Sequence, residues 1–225
     1  MTIPIPQLIR SRRRSLALEV RIDGAVIVRA PYFVTDSVIQ KFVSQNREWI
    51  DKVYQRTRHQ SEQFAPKKFI EGEKFLYLGQ EYPLHIAGEI GGRLLFEDQF
   101  LLSARYLPKA RKLFDRWYRE EAFSILTQRC QFYAPKIGVL YQRIKLSNAK
   151  QRWGSCNPKG NLCFNWRLVM APREILDYVV IHELAHLKEL NHSARFWAIV
   201  KKVIPSYREA KKWLKDNQPR LFCAP

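Results

Sequence analysis

Apolar and polar side chains alternate at every second position in several short segments of the chain, and this spacing predicts β-strands. The clearest example is residues 15–30, which alternate on both sides of Asp23-Gly24, a dipeptide typical of tight hairpin turns. Residues 75–86 and 93–104 also have the composition of paired strands. Small sheets are therefore predicted to dominate the first part of the chain.

Other segments repeat apolar residues every three or four positions, as amphipathic helices do. Residues 35–54 predict one helix behind a capping residue at Thr35 or Asp36, and residues 109–133 predict a longer one. Further strands are expected around residues 143–147 and 162–168. The chain is thus predicted to be an α+β protein.

The order of these elements predicts two closely packed regions. They are either two domains or parts of a single unit. Residues 1–105 form a β-rich N-terminal region with one helix, and residues 106–225 form the second region. The chain has 225 residues, of which 46% are apolar, so a sizeable core is expected. Charges interrupt every apolar run before it reaches the length of about 18 residues needed to cross a bilayer, so no membrane insertion is expected. Four cysteines without a C-x-x-C pair predict reduced thiols and a cytoplasmic protein.

The chain is strongly basic, with 39 Lys and Arg against 21 Asp and Glu and a formal net charge of +18. The basic side chains concentrate in segments 12–14, 109–119 and 201–215. Such charge predicts weak, salt-dependent attraction to nucleic acid, or simply solvated basic faces. A nucleic-acid-associated binding protein therefore remains an alternative function, although no zinc-finger or RNP signature is present.

The strongest chemical signal is the sequence His182-Glu183-Leu184-Ala185-His186, which matches the zinc-hydrolase pattern H-E-x-x-H. It lies in a helix predicted to begin at Pro172. Residues four apart project from one face of a helix, so His182 and His186 are placed to share one ion. Zinc is the metal that this donor set favours, and a catalytic zinc site needs a third protein ligand.

His192 is the candidate third ligand, provided that the helix ends before it. On an unbroken helix His192 would point about 120° away from His186. Asn191 is predicted to supply a left-handed turn, and Ser193 is predicted to cap the next helix. The competing interpretation is that these histidines only form hydrogen bonds in the core.

Several motifs around this site resemble the YgjP-like metallopeptidase family. They are RWGSC at residues 152–156, followed by NLCFNWRLVMAP, DYVVIHELAHL and NHSARFW. The chain is similar, more distantly, to the SprT-like and WLM zinc peptidases. The resemblance implies a zincin-like domain in residues 106–225, with the HExxH helix beside a small sheet. It also implies His182, His186 and His192 as metal ligands and Glu183 as the catalytic acid/base.

The expected function is therefore a zinc-dependent metallopeptidase in which Glu183 activates a metal-bound water. The sequence leaves the second oxyanion donor open; Arg152, Asn165 and Tyr178 are candidates, although each is better explained as a structural polar group near a turn or strand. Ser155 or Cys156 acting as a nucleophile is an alternative, and so is a metal-dependent nucleotide phosphohydrolase.

The expected substrate is a peptide or protein that lies extended beside the strand containing Leu162, Phe164 and Trp166. The block 151–190 is near neutral and contains no P-loop, which favours a peptide over a nucleotide. The natural substrate, the cleavage preference, the regulation and the oligomeric state remain open at this point.

Overall fold

The structure, a computed structural model, describes residues 6–21, 25–63, 66–88, 90–149 and 152–222. Two compact units are distinguished, residues 1–65 and residues 66–225. No helix among the described residues is long and apolar enough to cross a membrane. The predicted α+β class is confirmed, since small sheets and six α-helices alternate along the described part of the chain.

The first unit contains a three-stranded sheet and two helices. Its strands are β1 (Gln7–Ser11), β2 (Ala17–Val20) and β3 (Val26–Pro31), in the order β1-β3-β2. The antiparallel pairing of β2 with β3 agrees with the predicted hairpin, whose Asp23-Gly24 turn lies outside the described residues.

The helix predicted over residues 35–54 is two helices, α1 (Asp36–Gln45) and α2 (Arg47–Gln63). Asn46 separates them, and its side-chain amide donates to the carbonyl oxygen of Phe42 at 2.8 Å, which terminates α1. Thr35, one of the two predicted capping residues, is the N-cap of α1, and Asp36 is the first residue of the helix. Alternative hydrogen bonds of this kind are the reason why asparagine favours helix ends.

The second unit begins with a four-stranded sheet that packs on a long helix. The strands are β4 (Lys74–Tyr77), β5 (Gln80–Ala87), β6 (Leu94–Phe96) and β7 (Phe100–Ser103), in the order β4-β5-β7-β6. A 3-10 helix then leads into α3 (Ala110–Ile137).

The predicted boundary near residue 105 lies inside this second unit. The ring of Phe75 on β4 stacks on that of Phe114 on α3 with centroids 4.2 Å apart, and both side chains are fully buried. The sheet of β4–β7 and the long helix therefore share one hydrophobic core, which a pattern read along the chain does not reveal.

The remaining elements surround the candidate site. A second sheet contains β8 (Arg143–Ser147), β9 (Gly154–Cys156) and β10 (Asn161–Asn165), in the order β8-β10-β9. Three helices follow: α4 (Arg173–Ala185), α5 (Ala194–Val203) and α6 (Tyr207–Phe222).

The position of β10 corrects the predicted substrate-binding strand. β10 pairs in parallel with β8 and antiparallel with β9, so both of its edges are occupied. Leu162 and Phe164 are fully buried, and Trp166 belongs to the 3-10 helix that follows the strand. A peptide cannot add to a strand whose two edges are already paired. The free edge near α4 is that of β9, within the part of the chain that the structure describes.

A buried ion pair connects α3 to α4. Arg129 donates two hydrogen bonds to the carboxylate of Asp177, at 2.6 Å from Nε and 2.7 Å from Nη2. The hydroxyl of Tyr133 donates a third, at 3.0 Å. Asp177 precedes His182 by five positions, so these contacts hold the helix that carries the candidate ligands.

Candidate metal centre

Helix α4 positions the first two histidines. Its sequence is an apolar run in which Ile175, Leu176 and Val180 are buried, and this packing makes the helix rigid. Pro172 precedes the helix as its N-cap, and Glu174 lies in the first turn, where a carboxylate interacts favourably with the helix dipole.

The two histidines at four-residue spacing meet on one face, as predicted. The ring centroids of His182 and His186 are 5.0 Å apart. Nδ1 of His186 lies 3.1 Å from the carbonyl oxygen of Glu189. If this nitrogen carries the proton, Nε2 of the same ring is left as the ligand atom. A hydrogen bond from the other ring nitrogen to a carbonyl oxygen is typical of metal-binding histidines.

The chain turns after α4 and brings back the third histidine. The helix ends at Ala185, and His186 is its C-cap, so the break comes earlier than the sequence predicted. Asn191 does not have the positive φ expected of it; its Oδ1 instead accepts a hydrogen bond from the amide of Ser193 at 3.2 Å. Ser193 caps α5 as predicted and accepts from the amide of Phe196 at 3.3 Å.

The three histidines form a compact cluster. Each of His182, His186 and His192 offers one ring nitrogen as a ligand atom, and these three nitrogens all lie within 4.8 Å of one another. Nε2 of His182 and Nε2 of His192 are 3.0 Å apart. Such a cluster is able to hold a metal ion, because neutral imidazole nitrogens are good ligands for divalent transition metals.

Aromatic rings support the cluster from α5. The ring centroid of Phe196 lies 4.9 Å from that of His182, 4.5 Å from that of His186 and 4.8 Å from that of His192. The indole of Trp197 stacks on His192 with centroids 5.7 Å apart. Phe196 and Trp197 therefore line the candidate metal centre.

Burial keeps two of the imidazoles neutral. The pKa of His182 is lowered to about 3, first by burial and then by the neighbouring His186 and His192. The pKa of His192 is also lowered, again chiefly by burial. Nδ1 of His182 is buried and has no hydrogen-bond partner among the described residues. Neutral histidines with few protein partners fit a metal site better than a network of core hydrogen bonds.

Glu183 lies beside the cluster against the small sheet. Its side chain is buried, with 5% of its surface exposed, and burial raises its pKa to about 8, against the opposing charge of Arg152. Its carboxylate makes no hydrogen bond to any residue that the structure describes. A methyl group on Gly154 would stand only 2.5 Å from Oε1 of Glu183, so the backbone of β9 lies directly against this carboxylate.

A cleft of about 330 Å³ opens onto Glu183 and His182. Of the candidate oxyanion donors, Arg152 and Tyr178 line this cleft. Asn165 does not, because its amide donates to the carbonyl oxygen of Ala149 at 2.7 Å and its oxygen accepts from the amide of Arg167 at 3.1 Å. Asn165 is therefore a structural residue at the start of the 3-10 helix.

The RWGSC segment contains β9, and its cysteine is not in the environment of a nucleophile. The thiol of Cys156 contacts the carbonyl oxygen of Asn157 at 3.5 Å, and burial raises the pKa of this thiol to about 11. A nucleophilic cysteine requires a lowered pKa and a base beside it. The structure therefore argues against the cysteine-hydrolase alternative.

Sequence reasoning missed two parts of the cleft. One is the direct contact of Gly154 with Glu183, which depends on strand pairing. The other is the wall formed by α6, where Lys211, Lys215 and Gln218 line the cleft. The spacing of these residues, four and then three positions, was the available signal, because it puts them on one face of a helix.

Comparison with known proteins gives the family. The family model YgjP-like, metallopeptidase domain, matches residues 14–217. No curated protein shows significant similarity to the chain. The metallopeptidase zymogen of Pyrococcus abyssi abylysin is 24% identical with a TM-score of 0.39, covering 41% of this chain and 95% of its own. That of Methanocaldococcus jannaschii jannalysin is 19% identical with a TM-score of 0.37 and the same coverages. The family match extends over most of the chain, which therefore belongs to the YgjP-like metallopeptidases, a family of hydrolases that act on peptides or proteins.

Proposed function

We propose that this metallopeptidase is zinc-dependent, that His182, His186 and His192 hold the ion, and that Glu183 is the general base. The observation that carries the proposal is the cluster of three imidazole ligand atoms within 4.8 Å of one another beside a buried carboxylate. Three protein ligands and one open position are the composition of catalytic zinc sites.

One distance in the cluster fits a transition-metal ion shared by two of the histidines. Two nitrogens bound to one tetrahedral zinc at about 2.0 Å lie about 3.3 Å from each other. The separation of 3.0 Å between the Nε2 atoms of His182 and His192 is close to this value. An all-imidazole donor set also favours zinc over magnesium, which prefers oxygen ligands.

The residues of the chain divide the chemistry between them. A zinc ion held by His182, His186 and His192 would lower the pKa of a water molecule towards about 7 and would polarise the carbonyl of the scissile bond. Glu183 accepts the proton of the attacking water and then donates it to the leaving amine. Its burial and its lack of hydrogen bonds to the described residues leave the carboxylate available for this transfer. Tyr178 and Arg152 both line the cleft, and they are the protein groups that we propose as donors to the developing oxyanion.

The free edge of β9 is the surface on which we place the substrate. Gly154 on this strand touches Glu183, so a peptide paired with β9 would run past the general base. Backbone pairing gives affinity without demanding one sequence. We expect N-methylation of a substrate amide that pairs with β9 to raise KM, while methylation of the amide of the next residue, which faces away from β9, has little effect.

Metal analysis combined with peptide digestion tests the proposal. Purified protein should contain about one zinc ion per chain, and His192→Ala should lose most of it. The control is His85→Ala, because His85 is an exposed histidine on β5 whose ring contacts the carboxylate of Glu71. Glu183→Gln should retain zinc and lose at least a hundredfold in kcat/KM. Its control is Glu174→Gln, an exposed position on the same helix.

Two results would contradict the assignment. Unchanged zinc content in His192→Ala would remove this residue from the ligand set. A zinc-loaded Glu183→Gln protein with wild-type activity would show that another group takes the proton.

We also propose that the protein works in the cytoplasm. Cys130, Cys156 and Cys163 are free thiols in the structure. Reduced cysteines are typical of the cytoplasm and unusual in exported proteins. Thiol titration of the unfolded, freshly isolated protein should find these cysteines reduced; a disulfide would contradict the assignment.

A further inference from the structure

One wall of the cleft is the α6 helix, and it presents positive charge to the site. Lys211, Leu214, Lys215 and Gln218 all line the cleft. Their spacing of three, four and seven positions puts them on one face of the helix. Leu214 is buried and anchors this face, while the two lysines are exposed.

Arg152 faces the same cleft from the segment that precedes β9. Three basic side chains therefore surround the opening, and among the described residues the one carboxylate that lines it is the buried Glu183. None of Arg152, Lys211 and Lys215 forms an ion pair with any residue in the described part of the chain. Elsewhere in the second unit, basic side chains such as Arg129 and Arg220 have carboxylate partners.

Lys211 is held close to the candidate ligands. Its ammonium lies 5.2 Å from the ring centroid of Trp197, which stacks on His192. A cation over an indole face is attracted by the negative ring quadrupole, so this contact restricts where the ammonium lies. Positive charges gathered in a cleft with low-dielectric walls concentrate an anionic ligand there.

We propose that Arg152, Lys211 and Lys215 form a subsite for a carboxylate of the peptide substrate, close to the scissile bond. The carboxylate is that of a Glu or Asp side chain or of the peptide C-terminus. This inference rests on the proposed peptidase function and adds a substrate class to it. Lysine and arginine are strong donors to a carboxylate, and such charge-assisted hydrogen bonds favour the ionised group by about 10- to 100-fold.

Matched peptides test the subsite on the zinc-loaded full chain. A peptide that the enzyme cleaves is made in four forms, with Glu or Gln flanking the scissile bond and with a free or an amidated C-terminus. We expect kcat/KM about tenfold or more higher for one acidic form, mainly through a lower KM. A preference for Glu identifies a side-chain carboxylate, and a preference for the free C-terminus identifies the terminal one.

Variants that remove one positive charge show which side chains cause the preference for the acidic peptide. Lys211→Gln and Lys215→Gln should each reduce this preference about tenfold, by lowering kcat/KM for the acidic peptide. Lys212→Gln is the control, because Lys212 is exposed on α6 but does not line the cleft. Raising the salt concentration should also weaken the preference.

The possible failures are distinguishable. Cleavage with equal kcat/KM for all four peptides would overturn the subsite and leave the peptidase function standing. An equal loss of preference in Lys212→Gln would also overturn it, since the effect would then come from net charge. Release of phosphate from nucleotides with no cleavage of any peptide would overturn both the subsite and the peptidase function.

Discussion

The contact between Gly154 and Glu183 makes a small substitution informative. Replacing Gly154 with alanine adds one methyl group, which would stand 2.5 Å from Oε1, 2.6 Å from Cγ and 2.7 Å from Cδ of Glu183. Ordinary van der Waals contacts to a Cβ atom are 3.4–4 Å long. Gly154 does not have a positive φ, so alanine introduces no backbone strain and acts through this clash alone.

The size of the expected effect follows from these distances. The clash extends from the carboxylate back to Cγ, so the side chain of Glu183 must shift by about 1 Å beyond its Cβ. A misplacement of about 1 Å costs about a hundredfold in rate, because the proton acceptor leaves hydrogen-bond reach of the water. Gly154→Ala should therefore lower kcat about a hundredfold. None of the three histidines touches Gly154 in this way, so zinc content should not change.

Steady-state kinetics, zinc analysis and thermal unfolding measured on one preparation separate this effect from misfolding. Gly91→Ala is the matched control, because a methyl group at that glycine would meet no atom within 4 Å. It should retain wild-type activity and zinc. A Gly154→Ala protein with wild-type kcat and full zinc content would refute the reasoning, since Glu183 would then tolerate the displacement.

Three further predictions concern stability. Asp177→Asn should lower the free energy of unfolding by about 3 kcal/mol, measured by urea denaturation, because it leaves the charge of Arg129 without its partner. Phe75→Ala should lower it by about 3–5 kcal/mol, because a large ring is lost from a core shared with Phe114. If Phe75→Ala left the unfolding transition of the helical circular dichroism signal almost unchanged, that result would contradict the shared core. Removing zinc with a chelator and restoring it at a hundredfold excess over Kd should raise the midpoint of thermal unfolding by about 5–10 °C. The increase should be absent in His192→Ala.

The local parts of the site were predictable from the sequence. The spacing of His182 and His186 predicts that they share one helix face, because helical geometry is local. Ser193 was recognisable as a cap because its side chain bonds the amide three residues later. A break in the helix was also predictable, because on an unbroken helix His192 would point away from His186. Its place was not predictable, because α4 ends at Ala185 without a glycine or a left-handed residue to mark the end.

The parts that depend on distant pairing were not predictable. The segment containing Leu162 and Phe164 has the composition of a strand, but only its partners β8 and β9 show that it is central. The same holds for Gly154, whose contact with Glu183 joins residues 29 positions apart. The split between α1 and α2 lies between these cases, since the capping amide of Asn46 is local but competes with a continuous apolar pattern.

The stacking of Trp197 on His192 gives the protein an optical reporter of its own site. An indole close to an imidazole changes its fluorescence when that imidazole is protonated or bound to a metal. Trp197 also lies beneath the ammonium of Lys211, so an anion that draws this side chain away alters the same emission. Titrations of metal and of anionic ligands can therefore be followed on the unlabelled chain, and a paramagnetic ion such as Co²⁺ should quench the signal of this tryptophan most strongly.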